Sequence, residues 1–303
     1  MGDVVCPIDV VGFATLDGGT NGGNDSAQAP VTVTSAAAFI AQAATSADPN
    51  VIFVDGMITL PDTVEIASNK TIIGVGAKSG FTGGGLHLVD VTNVILRNLV
   101  IAKVAVGEGD AINLKRSTNV WIDHCDLSTD PTDTAAGYDG LVEITHASDY
   151  VTVSWTRFHD HRDTGLIGNL EDNAAEDTGK LRATYHHNLF LKVYSGPRVR
   201  FGTVHVFSNH FQEVSINGVA AETFSSVVVD HNMFDRVMTP ITTNYEDVAD
   251  GSARETSNRF VGSGPLVISA TNSFVPTYSF STDAAESVPA IVAACAGTGK
   301  ITP

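Results

Sequence analysis

Short runs of alternating apolar and polar residues recur through most of this chain, and the runs resemble one another. YVTVSWTRF (150–158), RATYHHNLF (182–190), TVHVFSNHF (203–211) and VVVDHNMF (227–234) are each β-branched, alternating and closed by an aromatic residue. Alternation with a period of two places successive side chains on opposite faces and predicts strands. The closing residues Phe158, Phe190, Phe211 and Phe234 are 32, 21 and 23 residues apart, and NVILRNLVI (93–101) and NVWIDHCDL (119–127) extend the series upstream. Asn188, Asn209 and Asn232 each precede such a phenylalanine by two residues. A period of 21–23 residues built from short strands fits one coil of a parallel β-helix, in which a coil buries its apolar face only by stacking on its neighbours. An asparagine repeated at one corner predicts a ladder of side-chain amides bonding from coil to coil. A two-sheet sandwich also contains many short strands, but it does not explain Asn–x–Phe recurring in fixed phase.

Where the interval lengthens, an insertion is required. HDHRDTGLIGNLEDNAAEDTGK (159–180) supplies one and STDPTDTAAGYDG (128–140) another, both rich in Gly, Asp, Thr and Asn and so read as loops. Stacked coils bring loops from one corner to one side, where they border a groove. Ser35–Ser46 (SAAAFIAQAATS) predicts a short amphipathic helix capping the first coil, and AAESVPAIVAAC near the end predicts a second helix on the barrel wall. The pattern predicts one domain over residues 1–303, with an N-terminal cap over about 1–50 and a C-terminal segment over about 265–303 packed on the barrel.

Composition sharpens the picture. A hydrophobic fraction of 43% and a charged fraction of 17% describe a globular chain with a large core. The formal charge is -17, from 34 acidic and 17 basic residues, a surface that repels nucleic acid and anionic membranes. It repels an anionic polysaccharide as well, unless a metal ion or a local basic cluster reverses the field at one site. No apolar run approaches the ~20 residues of a membrane span, and Met1-Gly2 leads straight into DVVCPID with no visible signal peptide. A mature secreted chain with an added Met fits this, and so does a cytosolic protein. Cys6, Cys125 and Cys295 are too few for a disulfide scaffold and lack paired metal-ligand spacing. Cys6 and Cys295 could pair if the two ends pack on one body.

With the repeats in view, the chain resembles the pectate lyase family, calcium-dependent enzymes that cleave polygalacturonate by β-elimination. GGTNGG, NKTIIGVG, NVILRNLVI, GDAINL, NVWIDHCDLS, YVTVSW, HHNLF and RVRFGTVHVFSNHF occur in the family's order, from about Gly12 to Ile301. The resemblance implies an all-β, right-handed parallel β-helix, a secreted extracellular enzyme, an acidic polysaccharide (polygalacturonate or pectin) as partner, and a monomer. It also implies Ca2+ as cofactor, with ligands at Glu108 and Asp110 in GEGDAI and at Asp139 and Glu143 in DGLVEI.

Elementary chemistry supports a cation at these four acids. Converging carboxylates repel and raise one another's pKa, and a hard ion taking six to eight oxygens in loose geometry removes that cost. Glu108 and Asp110 are two apart, Asp139 and Glu143 four apart, so each pair faces one way on extended backbone. The bland alternative is that the acids merely solvate a surface. The reaction implied is abstraction of the poorly acidic C5 hydrogen of a uronate, helped by cations that neutralise its carboxylate, followed by loss of the C4 oxygen.

The resemblance breaks at two positions. Relatives place the catalytic arginine two residues before a proline and another arginine three after it; here Arg200 follows Pro197 by three, but the earlier position holds Ser195. The segment between HHN and the proline is one residue shorter than is usual, which leaves open deletion of the arginine as well as its replacement. Relatives carry a substrate-binding lysine where Asp163 stands, and the adjacent Arg162 supplies a positive charge nearby, although neighbours on an extended chain point to opposite faces. Arg200 and Arg198 are therefore the candidate catalytic residues, and Arg162, Ser195 and Asp163 the candidate substrate-binding positions. The competing roles are a structural ion pair for Arg200, a solvent-facing charge for Arg198 and a loop charge for Arg162. His186, His187, His124, Cys125, Trp121 and Trp155 are expected to be structural. The expected function is a lyase of reduced activity on polygalacturonate; the alternatives are a non-catalytic calcium-dependent binder of acidic glycan or a lyase for another polyuronate. Hydrolysis of the glycosidic bond would need clustered aspartates that the repeats do not display.

Overall fold

The computed structural model describes residues 5–129, 138–245 and 248–302. Its strands form three parallel sheets of ten, nine and eight strands, and the chain visits them in the order first, second, third before starting the next coil. Neighbouring strands are consequently one coil apart in sequence, which makes the fold a parallel β-helix of stacked coils. In the first sheet Val151 stands opposite Ala183, Ala183 opposite Val204, Val204 opposite Val227 and Val227 opposite Ala253. The sequence repeats are thus true structural repeats.

The interior is sorted by residue type because equivalent positions stack. In the second sheet Phe158, Phe190, Phe211, Phe234 and Phe260 lie in register. Their rings stack with centroids 4.8, 4.5, 4.7 and 5.3 Å apart, close to the ~4.8 Å strand spacing. From Phe158 onward one side of the barrel is therefore a column of aromatic rings, continued in the earlier coils by Leu127, Ile101, Phe81 and Ile58, and Val, Ile and Leu of the other two sheets fill the remainder.

The expected ladder forms at the corner between the first and second sheets. Asn188 Nδ2 donates to Asn209 Oδ1 at 2.9 Å, Asn209 to Asn232 at 3.0 Å and Asn232 to Asn258 at 2.9 Å. The residue before each ladder asparagine is left-handed, with φ of 55° at His187, 51° at Ser208, 52° at His231 and 56° at Ser257. That tight corner turns the backbone hydrogen-bonding groups out of the strand ladder, and the asparagine amides take them up.

The helix Ala36–Ala43 covers the open end of the barrel, with Phe39 buried against Phe81 at a centroid distance of 4.4 Å. Ser35 caps it by accepting a bond from the Ala38 N–H at 3.3 Å. The helix Val288–Cys295 buries Val288 and Val292 against Met233. Cys295 is bonded to Cys6, with Cα atoms 5.4 Å apart, so the two ends do pack on one body. Among the described residues no helix is long and apolar enough to cross a membrane. The segment 159–180, expected to be a loop, is only partly one: Leu166–Ile167 forms a strand of the third sheet between Val142–Thr145 and Arg198–Arg200. The stretch beyond it contains the short helix Ala174–Asp177, whose Asp177 carboxylate accepts the Ala147 N–H at 2.8 Å. Most of the other insertion, 130–137, lies outside the described residues.

Candidate active site

The candidate residues gather on the outer face of the third sheet and on the corners that lead into it. Glu143 alternates with the buried Val142 and Ile144, and Arg198 and Arg200 flank the buried Val199, so all three face outward. Asp110 and Asp139 lie on the corners just before the strands Ile112–Lys115 and Val142–Thr145. Asn113 stands opposite Glu143, and Asp163, Ser195 and Asn217 form a parallel row across successive coils.

The acids predicted as a set divide into two behaviours. Glu108 turns to Lys115, whose Nζ donates to both carboxylate oxygens at 2.8 and 2.7 Å, and this bond holds the Glu108 carboxyl below its usual range. Asp110, Asp139 and Glu143 have no cationic partner among the described residues, and neither has Asp163. Burial pushes the Asp110 carboxyl up to about 6, with the neighbouring Asp139 and Glu108 carboxylates adding to the rise. Burial also pushes Glu143 well up, and Asp110, Asp139 and Asp163 push it further. Asp110 Oδ1 accepts the Gly140 N–H at 2.9 Å, and Glu143 Oε1 accepts the Leu166 N–H at 3.0 Å. Gly140 leaves room for the Glu143 carboxylate, since a Cβ there would sit 2.1 Å from Glu143 Oε1 and displace it. His161, its basicity lowered by burial, bonds the Asp139 carbonyl.

These side chains are neighbours but not a finished cage: among the described residues no group of three or more His, Cys, Asp or Glu is arranged to close on a metal ion. The donor set nevertheless suits a hard cation. Asn113, whose Nδ2 donates to Asp110 Oδ2, leaves its buried Oδ1 without a partner. An unused oxygen acceptor beside three unpaired carboxylates is the chemistry that calcium takes.

The arginines are placed differently. Glu222, fully buried at the end of the strand Asn217–Glu222, accepts from Arg198 Nε at 2.7 Å and from Arg200 Nε at 2.9 Å. Arg200 also donates to the Asn169 carbonyl at 2.8 Å, and the Arg198 guanidinium lies 4.8 Å from the centre of the Tyr245 ring. Both guanidiniums are thus drawn onto one carboxylate. Arg162 is exposed and stacks over Tyr194 at 5.4 Å, away from the row of Asp163. Ser195 is completely buried and its Oγ has no partner, as are Asn217 Nδ2 and Thr164 Oγ1.

Sequence reasoning missed Glu222, Lys115 and Asn113. Glu222 carries the clearest signal, an acid ending the otherwise apolar NGVAAE run one coil after the arginines. The residues expected to be structural are all buried: Trp121 and His186 on strands of the first sheet, and His124, Cys125, Trp155 and His187 at the corner that follows it, where Trp155 lies between His187, at 4.2 Å, and His124, at 5.9 Å.

Fold and site define a parallel β-helix protein with carboxylates turned outward from one sheet, and comparison with known proteins narrows the class. Residues 4–301 match the pectate lyase family profile. A probable pectate lyase B of Aspergillus flavus is 43% identical over 225 residues, which cover 74% of this chain and 68% of that one. A probable pectate lyase A of the same species is 38% identical over 288 residues, 94% of this chain and 87% of that one. Among solved structures, the pectate lyase Bsp165PelA of Bacillus sp. N165 in complex with trigalacturonate superposes with a TM-score of 0.88 at 28% identity, covering 96% of this chain and 99% of that one. The chain belongs to the pectate lyase family.

Proposed function

We propose that this protein is a secreted polysaccharide lyase that cleaves polygalacturonate by calcium-assisted β-elimination, at a rate reduced by the residues at positions 163 and 195. Family membership supports the reaction class, and the relative solved with trigalacturonate supports the substrate. The observation that carries the calcium assignment is the group of carboxylates, Asp110, Asp139 and Glu143, left without a cationic partner beside the orphaned Asn113 oxygen. The Cys6–Cys295 disulfide fits an oxidising compartment and hence secretion.

Asp110, Asp139 and Glu143 would hold the ion, with Glu108 able to join on leaving Lys115. The chemistry calcium supplies when bound is neutralisation of a sugar carboxylate, which makes the hydrogen on C5 more acidic. Arg198 and Arg200 lie two coils along the floor from Glu143, about 10 Å at the usual strand spacing. There they would orient the polymer by its carboxylates, Arg162 adding positive charge at the rim. With Ser195 where relatives place an arginine, the remaining candidates to take the C5 proton are Arg200 and Arg198. Both are engaged by Glu222, and a low rate follows.

The test is the absorbance of the conjugated 4,5-unsaturated uronate released from polygalacturonate, with calcium and with a chelator. Slow product formation that stops on chelation is expected; no product from any polyuronate over long incubation would remove the lyase reading. The buried, unpartnered hydroxyl of Ser195 favours one second reading, a calcium-dependent binder of acidic glycan that does not cut it. Calorimetry showing calcium-dependent binding without product would select it.

A further inference from the structure

Building on the proposed reading of the groove, we propose that Asp163 sets the substrate preference. It makes the position beside the calcium-held uronate select a sugar without charge, so that the preferred polymer is partly methyl-esterified polygalacturonate rather than the fully anionic chain.

The placement of Asp163 carries the inference. It stands in the row with Ser195 and Asn217 on the corner entering the third sheet, half-buried, one coil beyond Asp139 and Gly140. Its carboxylate has no hydrogen-bond or ion-pair partner among the described residues. The neighbouring Arg162 cannot serve, because its guanidinium is turned onto Tyr194. Its row partner Ser195 is uncharged, and Asn217 after it is uncharged too. The two guanidiniums further along the floor are drawn onto the buried Glu222.

A divalent ion held by Asp110, Asp139 and Glu143 offsets only part of the charge of those three groups, so the charge of Asp163 stays uncompensated. A uronate carboxylate docked next to it meets like charge, whereas a methyl ester at the same atom meets none and can accept hydrogen bonds. Selectivity of this kind comes from repelling the wrong ligand as much as from holding the right one.

The test is calorimetric titration of the whole protein, with calcium present, against polygalacturonates of stepwise increasing methyl-esterification, repeated with Asp163→Asn and Asp163→Lys. The wild-type protein is expected to bind a partly esterified polymer about tenfold tighter than the unesterified one, the size of one like-charge repulsion on a half-exposed surface. Asp163→Asn should erase that ratio and Asp163→Lys should invert it. A ratio that is the same in all three proteins overturns the proposal. So does affinity for the unesterified polymer that rises with the square of calcium concentration, since a second ion would then bridge Asp163 to the sugar. If calcium promotes binding but Asp163→Asn leaves the ratio unchanged, only the role of Asp163 falls. If Asp163→Asn shifts the ratio while a chelator changes nothing, the calcium assignment falls and the role of Asp163 stands. No binding of either polymer overturns both.

Discussion

Two of the three corners that a coil turns hold polar side chains with opposite fates. At the corner between the first and second sheets, Asn209 accepts from the Asn188 N–H and Nδ2 and donates to the carbonyls of Tyr185 and Phe207 and to Asn232. At the corner entering the third sheet, Thr164 Oγ1, Ser195 Oγ and Asn217 Nδ2 are as deeply buried and have no partner among the described residues. Buried polar groups in a folded protein are normally satisfied, and each exception calls for an explanation. The first corner is structural: its amides replace backbone bonds lost at a left-handed turn. The second carries Asp163 and Ser195, where the resemblance to the family implies a lysine and an arginine.

The most drastic way to break the comparison is to return those side chains. Ser195→Arg combined with Asp163→Lys is expected to raise the rate of unsaturated product formation by about 10²–10⁴-fold, the usual contribution of a positioned proton-transfer group. The initial rate on polygalacturonate at saturating calcium measures it. An unchanged rate would show that the second corner is disabled by more than its two substituted positions.

Alanine at each corner separates the two on stability. Asn209→Ala strands two Asn188 donors and two backbone carbonyls in the interior, at a cost of about 3 kcal/mol. Ser195→Ala removes a hydroxyl that bonds nothing and should stay within about 0.5 kcal/mol of the wild type. Urea unfolding of the pair reads the difference directly. Equal losses would mean that the Ser195 hydroxyl is held after all.

Much of the first corner was legible in the sequence and little of the second. The ladder and the phenylalanine column show as Asn–x–Phe because stacked coils repeat the same local problem, and a repeated problem leaves a repeated residue. The groove is not periodic. Asp110, Glu143 and Asp163 meet from three coils, and only the resemblance to a family singled them out. Glu222 was missed for a related reason: the NGVAAE run singles out an acid, but not that the residue opposite it, one coil earlier, is Arg200. The Cys6–Cys295 bond was open in sequence because pairing depends on where the two ends of the chain come to rest.

Acid sharpens the contrast further, because the two faces respond to it with opposite sign. His205, on the first sheet, is bonded to the Tyr278 hydroxyl at 2.8 Å and is pushed down from 6.5 to about 3 by burial, with Arg254 adding to the shift. Burial shifts His186 the same way. Between those values the unfolded chain binds a proton that the folded chain refuses. Stability is therefore lost as pH falls below about 6.5, by up to about 1.4 kcal/mol per pH unit for each such histidine. Asp110 runs the other way: its folded value of about 6 lies above its ordinary 3.8, so the stability it contributes is present at low pH and lost as pH rises through about 6. Urea midpoints between about pH 4 and 6.5 should show a flatter decline in His205→Gln and a steeper one in Asp110→Asn. Calcium should act on the Asp110 side alone, since the histidines lie on a different sheet. A pH profile that His205→Gln leaves untouched would mean that the imidazole already takes a proton in the folded state, and that the first sheet is less tightly sealed than its packing shows.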